Sequence, residues 1–142
     1  GWAMMGLLAT QRMCPDGRYL DLARKMAEHL IKWQQSDGHW NFEMDKPVAK
    51  VGIAEKGTAL WSLLFYRLFS HTRDERHLAT ARKALTWCLS NRYDGPDANA
   101  LGGVVGICPA SGVVYRHWFP QVCTYAMDFF GLALLEELKA AR

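Results

Sequence analysis

The feature that most restricts the fold of this chain is an alternation of two kinds of helix, repeated after 58 residues. Trp2 to Met13 is apolar nearly all round until its last turn, which predicts a helix covered on most sides. Cys14-Pro15-Asp16-Gly17 breaks it, and a second helix is expected from about Tyr19 to Gln35. There Leu22, Met26, Leu30 and Trp33 recur at three- and four-residue steps opposite Arg24, Lys25, Glu28 and Lys32, so one side is wet. The pattern then returns. Ala59 to Phe69, led in by Glu55-Lys56-Gly57-Thr58, is again apolar almost all round. After a short connection, Asp74 suits an N-cap, and a fourth, amphipathic helix runs to about Ser90. On the shift, Asp16 falls on Asp74, Arg18 on Arg76, and Ala23-Arg24-Lys25 on Ala81-Arg82-Lys83.

Short turns within each pair and long loops between pairs have a geometric consequence. Antiparallel neighbours put both short turns at one end and both long loops at the other. Inner helices buried on most sides, with outer helices wet on one side, describe hairpins of an α/α toroid: an all-α chain of about five helices, residues 1–142 forming a single partial toroid domain. A plain helical bundle with two long loops is the other reading. The inner helices all start at the long-loop end, where their dipoles favour an anionic ligand. The loop from Asn91 to Phe119 is long enough to expect function in it, with Val104-Val105 and Val113-Val114-Tyr115 as a candidate short hairpin. The last helix is expected from near Pro120 to about Ala140. It is left without a hairpin partner, so its apolar stripe calls for a missing N-terminal half or a homo-dimer.

The junction Trp33 to Phe42 carries the turn pair Asp37-Gly38, with Trp40 ready to fold back over the helix end. Asp94-Gly95 stands in nearly the same place in the second unit, and His39-Trp40 is mirrored by His117-Trp118. Sugar rings stack C–H faces on aromatic faces, and imidazole can bond a hydroxyl or a carboxylate. Trp2, His39, Trp40, Arg116, His117 and Trp118 are therefore the candidate substrate-binding residues. For the tryptophans the alternative is closure over helix ends as core. Arg116 and Lys56 could pair with a uronic carboxylate or serve as solvated cations. Glu43, Asp45 and Asp97 are loop carboxylates of the type glycosidases use in pairs, while Glu55 suits the dipole at a helix start. Asp128, between Met127 and Phe129 in an apolar helix, is expected to be buried and paired.

Charge and composition narrow the function classes. Seventeen Lys plus Arg against 14 Asp plus Glu gives only +3, spread along the chain, so no nucleic-acid partner is expected. No apolar run approaches the roughly 20 residues that cross a bilayer, so no membrane partner is expected either. Cys14, Cys88, Cys108 and Cys123 lack paired spacing, which fits reduced thiols, a cytoplasmic setting and no zinc site. Gly102-Gly103-x-x-Gly106 is not a nucleotide fingerprint, and no cofactor is expected.

Several stretches resemble one family in order. Gly1-Trp2-Ala3-Met4-Met5-Gly6-Leu7 resembles part of an Arg-Gly-x-Gly-Trp helix start, and Gln35 to Trp40 resembles a Gln-x-x-Asp-Gly-x-Trp helix end. Glu55 to Leu60 is similar to Glu-Thr-Ser-Gly-Thr-Ala-Leu, with Lys56 where the family has Thr and Ser. Gly106 to Gly112 is similar to Gly-Val-Cys-Gly-Gly-Thr-Gly, and Asp128 to Leu135 resembles a last inner helix. These are motifs of six-hairpin glycosidases of the unsaturated glucuronyl and rhamnogalacturonyl hydrolase type. The resemblance covers the second half of that ring. It implies an oligosaccharide partner, acidic or neutral, and hydrolysis where an upstream half supplies the family's acid and base Asp residues. A non-catalytic sugar-binding or self-associating helical module is the alternative.

Overall fold

The computed structural model describes residues 1–106, 121–122 and 124–141 of the chain. The fold is all-α: α1 (Trp2–Met13), α2 (Gly17–Trp33), the single turn α3 (Val48–Val51), α4 (Glu55–Thr72), α5 (Glu75–Ser90) and α6 (Thr124–Ala140). One two-residue ribbon, β1 (Val105–Gly106) antiparallel to β2 (Gln121–Val122), ties the long loop to the approach to α6. Two of these elements differ from expectation. The first long loop holds the helical turn α3, entered from Pro47 and left through Gly52 at φ 75°. The partner of Val105 is Val122, so α6 begins at Thr124, beyond the ribbon. The expected pairing strand Val113 to Tyr115 and the start at Pro120 lie outside the described residues.

Both short turns are built alike. Asp16 and Asp74 each accept the backbone N–H two residues on, from Arg18 and Arg76, at 2.9 Å. Each carboxylate is also gripped by that arginine's own side chain, with Nη2 at 2.7 Å in both. The repeat is therefore physical: the same N-cap satisfies the same orphan donors 58 residues apart. Side-chain and backbone bonds from Arg76 hold the Asp74 carboxyl down from 3.8 to about 2.

The core is organised on α4. Thr58 to Tyr66 is buried without interruption, because α5 and α6 flank this helix while α1 and α2 close its other side. Ser62, inside that run, gives its hydroxyl to the Ala81 carbonyl of α5 at 2.9 Å. Across the outside, Arg76 meets Glu28 of α2 at 2.8 Å, and Arg82 meets Glu137 of α6 at 3.0 Å. The Tyr66 hydroxyl lies beneath the second pair; burial first, then the Glu137 carboxylate, raises its pKa.

α1, expected to be covered on most sides, is half bare, and α6 leaves bare much of the apolar surface expected to need a partner. In α1 only Met4 and Leu8 are buried, whereas Trp2, Gly6, Ala9 and Met13 face outward. In α6 only Ala126, Phe130 and Ala133 are buried, and Tyr125, Leu132, Leu135 and Leu138 are exposed. Asp128 is exposed as well, not buried and paired, because it lies on the side of α6 turned away from α4. Neither flanking helix has described neighbours on its outer side to match those around α4.

Candidate functional site: the long-loop end

The first junction is set by close packing against α5. Gly38 has φ 112°, and its N–H returns to the Gln35 carbonyl at 3.0 Å. A Cβ here would stand 2.2 Å from the Lys83 carbonyl oxygen, so backbone touches backbone and only glycine fits. Gln34 spans the same seam, donating from Nε2 to the carbonyls of Gly38 and Thr80 at 3.0 and 3.1 Å. At the second junction the sequence parallel fails. The helix ends at Ser90, where Asn91 Nδ2 donates to the Trp87 carbonyl at 2.8 Å. The chain then folds back through Tyr93 and Gly103, with the left-handed glycine at Gly102 and not at Gly95.

Trp40 is fully buried. Its indole N–H donates to the Leu30 carbonyl at 2.7 Å, satisfying an oxygen that the last turn of α2 leaves unpaired. Its ring meets Trp61 edge-on at 5.0 Å and lies parallel to Phe65 at 6.2 Å. The backbone around it is fixed too: the Trp40 N–H reaches Thr58 Oγ1 at 3.2 Å, and its carbonyl accepts from Ala54 at 2.9 Å. Of the two readings open for Trp40, the geometry realises closure over the helix end; no ring face is left for a sugar. His39 is also buried, 8 % exposed, between Asp37 Oδ1 at 2.6 Å and Asn41 Oδ1 at 3.2 Å, with its ring against Trp87. Asn41 in turn donates to the Lys46 carbonyl at 2.7 Å. His39 thus pins the loop.

Trp2 has the opposite fate. It is 63 % exposed at the start of α1 and meets Phe129 of α6 edge-on at 5.7 Å. One turn ahead of Phe129 on the same helix stands Tyr125, 60 % exposed. Trp2 and Tyr125 are open rings at the long-loop end, and Phe129, which Trp2 touches, is one turn on from Tyr125. Tyr125 is a candidate that sequence reasoning missed, since a tyrosine in an apolar helix reads as core; its i, i+4 spacing to Phe129 is the signal that could have found it. Arg116, His117 and Trp118 lie outside the described residues.

At this end α4 begins without a side-chain cap, so its first N–H groups have no side-chain acceptor. Lys56 is exposed on its first turn. A shallow cleft of about 510 Å³ is walled by Leu7, Leu22, Met26, Leu30, Met44 and Trp61, with Lys25 and His29 as its polar members. The loop carboxylates are engaged locally: Asp37 holds His39, Glu43 pairs with Lys46, and Asp97 caps the turn at Asn99. Asp45 is exposed, and Glu55 occupies the first turn of α4. Among the described residues no three His, Cys, Asp or Glu stand together as a metal site, and no helix is long and apolar enough to cross a membrane. Cys14 and Cys88 are free thiols; burial pushes Cys88 up to about 12, which removes it as a nucleophile. Cys108 and Cys123 lie outside the described residues. No family model matches this chain, and no curated protein or solved structure matches it.

Proposed function

We propose that this chain is a carbohydrate-binding helical module related in design to six-hairpin glycosidases, holding an oligosaccharide at its long-loop end without hydrolysing it alone. The observation that carries the reading is the pair of exposed rings, Trp2 and Tyr125, at the end of the molecule where α4 starts uncapped. Exposed aromatic faces suit the C–H faces of sugars, and free helix N–H groups with Lys56 suit hydroxyls or a uronic carboxylate. The local engagement of Asp37, Glu43 and Asp97 supports binding over turnover, because a glycosidase needs two carboxyl groups flanking the scissile bond. The test is calorimetric titration with unsaturated uronyl oligosaccharides, alongside absorbance of the uronyl double bond. Binding with unchanged absorbance is expected. Absence of heat at millimolar sugar would remove the binding claim, and loss of the double bond would remove the claim that catalysis is absent.

A second reading is favoured by the bare helices. The outward leucines of α6 and the outward Trp2 and Met13 of α1 form more apolar surface than scattered single residues do, which supports self-association into a homo-dimer.

A further inference from the structure

The exposed side of α6 has a pattern that chooses its own partner. Asp128, Leu132, Leu135 and Lys139 follow one another at steps of four, three and four residues, the spacing of a single coiled-coil seam. All four face away from the core: Leu132 is 41 % and Leu135 54 % exposed, Asp128 is exposed, and the Lys139 side chain is 68 % exposed. Lys139 now bonds Glu136 of its own helix at 3.0 Å. The order along the seam is acid, apolar, apolar, base. When two copies of such a helix run antiparallel about a two-fold axis between Leu132 and Leu135, each Leu132 meets the other copy's Leu135. The same register brings Asp128 opposite the other copy's Lys139 at both ends. A parallel pairing would set Asp128 on Asp128 and Lys139 on Lys139, which like charges oppose. Gly131, flanking the seam, has nothing within 4 Å of a built Cβ and lets the second helix come near.

We infer that α6 is the dimerisation helix, pairing antiparallel with its own copy through Leu132 and Leu135 and locked by two Asp128–Lys139 ion pairs. The inference rests on the self-association reading and adds to it a register and an orientation. Tyr125, seven residues before Leu132, lies at the end of the same seam, so the dimer would draw on one of the rings assigned to sugar.

Sedimentation velocity across a concentration series, on the whole 142-residue chain, tests it. The natural sequence should dimerise, Asp128→Lys and Lys139→Asp should each weaken the dimer about ten-fold or more, and the double charge swap should restore it, since like-charge layers oppose pairing and the swap re-forms both ion pairs. Both substitutions lie on exposed positions, and circular dichroism checks that helix content is kept in all three variants. Carbodiimide cross-linking of a mixture of isotope-labelled and unlabelled natural chains gives a readout without variants: an inter-copy Asp128–Lys139 link is expected. A monomer at millimolar concentration would overturn both dimer and register. A dimer indifferent to either single charge change, or lacking the link, would overturn the register and leave self-association standing.

Discussion

The indole N–H of Trp40 donates to the carbonyl of Leu30 at 2.7 Å, so a loop residue completes the last turn of the helix that precedes it. Because the ring also lies between Trp61 and Phe65, this one side chain joins α2, the first long loop and α4. Trp40→Ala should cost about 3–5 kcal/mol of stability, the usual loss for a buried tryptophan. Trp40→Phe keeps an aromatic ring but leaves the Leu30 oxygen unpaired, and should cost about 1–3 kcal/mol. Urea unfolding checks both. Trp40→Phe should leave sugar affinity unchanged, since the ring it alters is fully buried.

Gly38 is held at φ 112° against the backbone of Lys83. Gly38→Ala adds a methyl where a carbonyl oxygen stands, and at a positive φ. The expected loss exceeds about 1 kcal/mol, measured by thermal unfolding. Gly95→Ala gives a control of a different kind, because its Cβ would meet only the side chain of Tyr93, and its cost should be the smaller of the two.

His77 supplies a pH dependence. It is 2 % exposed; Nδ1 lies 2.9 Å from Thr72 Oγ1, and Nε2 is buried with no partner. The Thr72 hydroxyl is already given to the Leu68 carbonyl, so Nδ1–H is the donor and Nε2 carries no proton. Burial holds the native imidazole below its ordinary value of 6.5, against an opposing pull from Asp74. As pH falls through 6.5 the unfolded chain takes the proton first, so stability is full above that value and declines toward the lowered native one. Denaturation midpoints measured from pH 8 to pH 5 should fall for the natural chain and fall less for His77→Phe.

How far the sequence discloses this molecule depends on whether a residue's role is local. The N-caps at Asp16 and Asp74 are legible, because a carboxylate two residues before an arginine at a helix start needs no tertiary partner. The inner position of α4 is legible too, because an apolar surface all round demands neighbours on every side. What a periodicity does not state is whether those neighbours are present: α1 and α6 read like α4, yet each buries one side only. Asp128 misleads for that reason. Among the candidate ligands, Trp2 and Trp40 are alike in sequence and opposite in fate. The Asp37-Gly38 turn announces that Trp40 folds back over the helix end, whereas nothing local to Trp2 states that its ring stays open. The second junction misleads because both helices end four residues before their Asp-Gly pair, yet only Gly38 takes the left-handed conformation; at the second junction Gly102 takes it.

The central claim is that the long-loop end binds sugar on open aromatic rings, and one titration tests it most directly. Tryptophan fluorescence is followed while an unsaturated uronyl oligosaccharide is added to the natural chain, to Trp2→Ala and to Tyr125→Ala. Both changes are at exposed positions and should leave the fold intact. Saturable change in the natural chain, with affinity lowered about five-fold or more by each variant, is the predicted result. A natural chain that shows no saturation at millimolar sugar, or variants that bind as tightly as it does, would contradict the account.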